Sequence, residues 1–173
     1  MTVVIINGCP WPTSGKDTFC DLCKEINPAY TFSISTVDNI KAIAQSIGWN
    51  GEKTNKARKF LSDLKDLTTE FNDYPFQDTL RRIKIIYREV EIFDGNLDKV
   101  VIFIHSREPE EIARFKEKLG AYTLLIRRPE VENKEVSNHA DSNYLDYNYD
   151  FEIWNTGTLD DLKQKAREFL QGF

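Results

Sequence analysis

The stretch Val3-Val4-Ile5-Ile6-Asn7-Gly8, followed by Cys9-Pro10-Trp11-Pro12-Thr13 and then Ser14-Gly15-Lys16-Asp17-Thr18, decides the fold. Val3 to Ile6 is a short β-branched run that ends near a glycine, and it reads as a buried strand. A helix is expected from about Gly15 to Glu25, stopped by Asn27-Pro28. A strand that passes through a glycine-bounded turn into a helix opening on a lysine can wrap an anion. Glycines let backbone N–H groups approach phosphate oxygens with no side chain in the way. The helix N-terminus adds partial positive charge. Lys16 adds a full, mobile charge that can follow phosphates into a transition state.

Gly8, Ser14, Gly15, Lys16, Asp17 and Thr18 are therefore the candidate ATP phosphate contacts. Asp17 and Thr18 are the candidate donors to Mg2+, which prefers oxygen ligands. The loop departs from the usual spacing of about four residues between glycines. Six residues separate Gly8 from Gly15, and the residue after the lysine is Asp17 where a Ser or Thr is usual. Trp11 reads as a shield for the loop.

Outward from the loop, apolar spacing alternates between strand and helix. Ala29 to Ser35 reads as a second strand. Val37, Ile40, Ala44 and Ile47 mark a helix that Gly48 can end. Phe60, Leu61, Leu64, Leu67 and Phe71 mark another, and Leu80, Ile83, Tyr87 and Val90 a third. Val100 to Ile104 is apolar on both faces, as in the middle of a parallel sheet. Pro109 suits the first turn of a helix carrying Ile112, Phe115 and Leu119. Tyr122 to Ile126 and Phe151 to Trp154 are further strands. Thr158 with Asp161 resembles a capping box for the last helix, with Leu162, Ala166 and Phe169 inward. Alternating strands and helices predict a parallel sheet flanked by helices.

With 173 residues, the chain fits one domain with a sizeable core. A net charge of -5 argues against a nucleic-acid partner. No apolar run is long enough to span a membrane, and Val3 to Ile6 is too short for a signal segment. Three cysteines without a regular framework fit a reducing, cytoplasmic setting. Cys20 and Cys23 form a CxxC with no second pair, so core packing is the better reading than zinc.

The Gly15-Lys16-Asp17-Thr18 segment resembles that of the phage-type deoxynucleoside monophosphate kinases, and the animal-type phosphomevalonate kinases share its first three residues. Ile40-Lys41 resembles the start of the helix that follows the family's second strand. Val101 to Ile112 resembles its apolar strand and Asp-Thr-Arg segment, with Arg107 matching the arginine. Ala121 to Pro129 resembles the next strand and its arginine-proline end, carried by Arg128. Asp150 to Leu162 resembles the final strand, an asparagine-rich turn and the last helix.

The resemblance implies a three-layer P-loop NTPase fold with a five-stranded parallel sheet in the order 2-3-1-4-5. It implies an ATP- and magnesium-dependent kinase acting on a (deoxy)nucleoside monophosphate. Lys41 would face the acceptor phosphate. Two rivals stand beside that reading: a kinase of another small phosphate, such as an isoprenoid or sugar phosphate, and a non-catalytic nucleotide-binding protein. Segments resembling GTPase signatures are missing, and a motor-type ATPase would carry an acid where Ile104 leads into His105-Ser106.

The expected organisation is a single kinase domain, as a monomer or homodimer. Residues 36–97 form a helical acceptor-binding insert, and residues 128–149 form a closing lid. Phosphoryl transfer needs cations converging from separate segments. Lys16, Arg107 and Arg128 are the candidate catalytic cations. Lys41, Arg58, Lys65 and Arg81 are the candidates for the acceptor. His105 stands where the family has a strand-end acid, and it reads as a filler. His139 reads as a lid surface residue. Asp38 either orients an acceptor or caps its helix.

Overall fold

The structure, a computed structural model, describes residues 1–8, 14–132 and 147–173. The strands are β1 (Thr2–Gly8), β2 (Thr31–Ser35), β3 (Val101–His105), β4 (Tyr122–Arg127) and β5 (Phe151–Trp154). They form one five-stranded sheet in the order β2-β3-β1-β4-β5. β1 runs parallel to β3 and β4, and β4 runs parallel to β5. The strand order and parallel pairing are those expected from the sequence. Val4, Ile5 and Ile6 of β1 are wholly buried. A strand apolar on both faces belongs at the centre of a sheet covered on both sides.

The helices are α1 (Lys16–Ile26), α2 (Asp38–Ser46), α3 (Asn55–Asn72), α4 (Tyr74–Phe93), α5 (Pro109–Leu119), α6 (Pro129–Glu132) and α7 (Leu159–Gln171). On one sheet face, every second residue points the same way. Val4, Ile6, Val101, Phe103, Leu124 and Ile126 there meet Phe19 and Cys23 of α1 and Leu162 and Ala166 of α7. Phe19 sits edge-on to Phe103 at 6.2 Å and to Phe169 at 5.6 Å. α5 buries Ile112 and Phe115 and packs onto β1 and β4. Gly120, at φ 60°, ends α5 in the left-handed conformation that glycine adopts without strain. Thr158 and Asp161 form the predicted capping box of α7.

The chain divides into two compact units. One comprises Met1–Ser33 with Asp94–Phe173, and the other Ile34–Phe93. The second unit holds α2, α3 and α4, which touch one another. Thr54 caps α3 by accepting from the Ala57 N–H. Asp38 is the first residue of α2 and Val37 is its cap. The Asp38 carboxylate instead accepts from the Ser35 N–H at 2.9 Å and from Arg82 at 2.9 Å.

Three expected inward residues of this unit are corrected. Ile47 lies past the end of α2, and it is 67% exposed. Leu67 and Phe71 of α3 are 64% and 85% exposed, so the apolar stripe outruns the buried surface of the helix. Ala57 is the one residue of α3 that is fully buried. A unit of this size has little interior to offer.

A candidate phosphate-binding site

The first unit holds the described residues on both sides of the candidate phosphate loop, Gly8 and Ser14–Thr18. Gly8 closes β1, and its N–H donates to Asn7 Oδ1 at 2.8 Å. A Cβ on Gly8 would lie 2.6 Å from Ser14 Oγ, so Ser14 packs this closely against residue 8 only because it is a glycine. Gly15 caps α1 at φ 90°, a left-handed conformation. A Cβ there would also lie 2.3 Å from Asn155 Nδ2. Lys16, Asp17 and Thr18 then open α1, where backbone N–H groups have no partner within the helix. Residues 9–13, with Trp11, lie outside the described residues.

Buried Asn7 anchors this end of the sheet. Its Nδ2 donates to the Arg107 carbonyl at 3.4 Å and to the Tyr149 hydroxyl at 2.9 Å. Ser106 is buried and donates to Glu111 Oε2 of α5 at 2.5 Å. The segment after β3 is thus tied down on two sides, and Arg107 projects from it.

Gly8, Ser14, Gly15, Lys16, Asp17 and Thr18 line one pocket of about 420 Å³ together with Arg107 and Arg128. The predicted phosphate contacts and both predicted arginines therefore share a single cavity. Arg127 and Arg128 are adjacent in sequence, yet they part company. The Arg127 guanidinium stacks 4.2 Å from the Trp154 ring centroid. Arg128 lines the pocket, and its Nε donates to Glu130 Oε2 at 2.8 Å.

The sequence reading missed the remaining wall, formed by Asn155, Gly157, Thr158, Leu159 and Leu162. Asn155 Nδ2 donates to the Ser14 carbonyl at 3.0 Å, and the Asn155 N–H donates to the Arg127 carbonyl at 2.7 Å. The available signal was position: ligands gather outside the C-terminal ends of parallel strands, and this turn follows β5.

Beside the loop, Lys16 Nζ lies 2.5 Å from Asp17 Oδ1 and 2.7 Å from His105 Nδ1. Asp17 Oδ1 in turn lies 3.4 Å from His105 Nδ1. His105 is therefore no passive filler, because both of its ring nitrogens are engaged. Among the described residues, no three His, Cys, Asp or Glu side chains cluster to hold a metal. Cys20 and Cys23 are buried in α1, and burial pushes the Cys23 thiol up to about 12.

The acceptor candidates lie in the other unit. Lys41 is exposed on α2, and Arg58 is exposed on α3. Lys65 is half-buried on α3. Arg81 of α4 pairs with the buried carboxylate of Asp78. In the segment 128–149, expected to form a lid, α6 begins directly after Arg128. Val131 and Tyr149 pack with Leu125. Residues 133–146, with His139, lie outside the described residues.

No family model matches the chain, and no curated protein matches it in sequence. Solved structures do align over nearly its whole length. A variant of the APS kinase of Mycobacterium tuberculosis aligns at 13% identity and TM-score 0.44, over 98% of this chain and 96% of that one. The shikimate kinase of Aquifex aeolicus aligns at 12% identity and TM-score 0.48, over 99% and 97%. The dephospho-CoA kinase of Campylobacter jejuni aligns at 18% identity and TM-score 0.47, over 99% and 96%. Among the described residues, no helix is long and apolar enough to cross a membrane.

Proposed function

We propose that this chain is an ATP-dependent kinase that transfers the γ-phosphate of ATP to a small phosphorylated acceptor, with a (deoxy)nucleoside monophosphate as the leading acceptor. One observation carries the reading: Gly8, the Ser14–Thr18 segment with Lys16, Arg107 and Arg128 meet in one pocket. Phosphoryl transfer asks a protein for positioning and for charge neutralisation, and it needs little covalent chemistry.

In this reading, the N–H groups opening α1 and the Lys16 ammonium hold the β- and γ-phosphates. Arg107 and Arg128 neutralise charge on the group in transfer. Leu159 and Leu162 give the pocket an apolar wall for the base, with Asn155 as a polar edge. Exposed Asp17 and Thr18 fit Mg2+, a hard cation that keeps several waters and needs few protein oxygens. Bound there, magnesium would offset phosphate charge. Residues 36–97 serve as the acceptor-binding insert, with Lys41, Arg58, Lys65 and Arg81 as its cations. Residues 128–149 serve as the lid, excluding water so that phosphate reaches the acceptor. The protein acts in the cytoplasm as a monomer or homodimer.

Incubation with labelled ATP, magnesium and a panel of nucleoside monophosphates, isoprenoid phosphates and sugar phosphates tests the reading. Label should pass to one class of acceptor. ATP binding with no transfer to any acceptor would sink it.

A further inference from the structure

Lys16 shares its ammonium between a carboxylate and a histidine ring, and the ring can be assigned a tautomer. Nζ is 2.7 Å from His105 Nδ1. An ammonium has protons and no lone pair, so Nδ1 must accept. The competing partner, Asp17 Oδ1, lies farther from Nδ1, at 3.4 Å. Donation to it would require Nδ1–H to face the ammonium. The shorter contact sets the tautomer: Nδ1 accepts from Lys16, which places the ring proton on Nε2. That nitrogen lies 3.0 Å from Ser33 Oγ of β2. Donation therefore runs one way, from Lys16 through His105 to Ser33.

Asp17 is a poor anchor by itself. Its side chain is 78% exposed, and an exposed ion pair fixes geometry weakly. The His105 side chain is 16% exposed and stands at the end of a central strand. A second carboxylate here would set two negative charges on one ammonium. A ring nitrogen that accepts from the ammonium orients it without adding a negative charge, which leaves it available to phosphate.

We propose that His105, accepting through Nδ1, is the positioning residue that aims the Lys16 ammonium. The proposal rests on the reading of Lys16 as the phosphate-handling cation of a kinase. Three substitutions separate the parts of the ring. His105→Asn keeps an acceptor oxygen near the place of Nδ1, His105→Gln moves it to the place of Nε2, and His105→Ala removes it. In magnesium- and ATP-dependent transfer, kcat should fall on the order of tenfold for Ala and Gln, as for one hydrogen bond to a charged group. KM for ATP should change less, and Asn should recover most of the loss.

Nitrogen NMR of labelled histidine supplies a readout that needs no substrate, with His139→Gln used to assign the signals. The His105 resonances should show Nε2–H, and Lys16→Met should move Nδ1 towards the value of an unbonded ring nitrogen. An Nδ1–H tautomer, an Nδ1 signal unmoved by Lys16→Met, or equal activity of the Asn and Gln variants overturns the proposal. If the native protein phosphorylates no acceptor, the kinase reading fails and the NMR result alone decides the role of His105.

Discussion

Asn155 Nδ2 donates to the carbonyl oxygen of Ser14 over 3.0 Å, joining residues 141 positions apart. The bond ties the turn after β5 to Ser14 of the candidate phosphate site, so two walls of one pocket hold each other in place. Asn155→Ala should weaken ATP binding by roughly tenfold, the scale of one well-placed hydrogen bond. Gly15→Ala should be worse, since it meets Asn155 and forces φ 90° on a residue with a Cβ. The double variant should bind better than Gly15→Ala alone, because the clash is gone while the backbone strain stays. Calorimetric titration with ATP measures all three, and a double variant no better than Gly15→Ala would refute the packing argument.

Lys16→Ala should remove about 3 kcal/mol or more of transition-state stabilisation, the scale for losing a key electrostatic donor. Steady-state kcat/KM for transfer is the measurement. Unchanged transfer in that variant would end the kinase assignment.

The neighbours Arg127 and Arg128 should behave differently. Arg128→Ala removes a cation from the pocket and should lower kcat/KM for ATP by at least about tenfold, as for a lost charge-assisted contact. Arg127→Ala should lower stability by about 1 kcal/mol through its lost stacking on Trp154 and leave transfer largely intact. Kinetics and denaturant unfolding of the pair would show whether the roles have been confused.

Asp150 sets the start of β5. Its carboxylate accepts from the Thr123 N–H and hydroxyl at 2.9 Å each and pairs with Lys116. Partial burial would raise its pKa, but Lys116 and Thr123 outweigh that and hold the carboxyl below the usual range. A carboxyl lowered on folding stabilises the fold above its unfolded pKa, about 4. That stability is lost as pH falls through the folded value. Asp150→Ala strands the wholly buried polar groups of Thr123 and should cost about 2 kcal/mol at neutral pH. The difference between variant and native protein should shrink below pH of about 4. Urea unfolding across that range checks the sign, and a constant difference would show that Asp150 acts by packing alone.

Cys20 and Cys23 should resist thiol reagents in the folded protein, since burial raises both thiols. Mass spectrometry after labelling should find both modified only once the protein is unfolded. Modification of either in the native state would remove them from the core.

Much of this molecule could be read locally. A β-branched run, a glycine and a helix-opening lysine interact through neighbours in sequence, so Gly8, Ser14 and the Gly15–Thr18 segment were recognisable as parts of one candidate phosphate-binding turn. The remaining strands and most helices declared themselves through apolar period, which reflects which face meets the core. The exposed Leu67 and Phe71 show the limit of that signal, because period says that a helix has an apolar side and does not say what covers it. Whether Arg127 or Arg128 reaches the pocket depends on which of two adjacent side chains finds Trp154 on the next strand. The Asn155 wall and the engagement of His105 by Lys16 depend on parallel strands bringing distant turns to one sheet edge. Short-range preference determines a turn or a helix end, whereas a contact across some 140 residues exists only after the sheet order is complete.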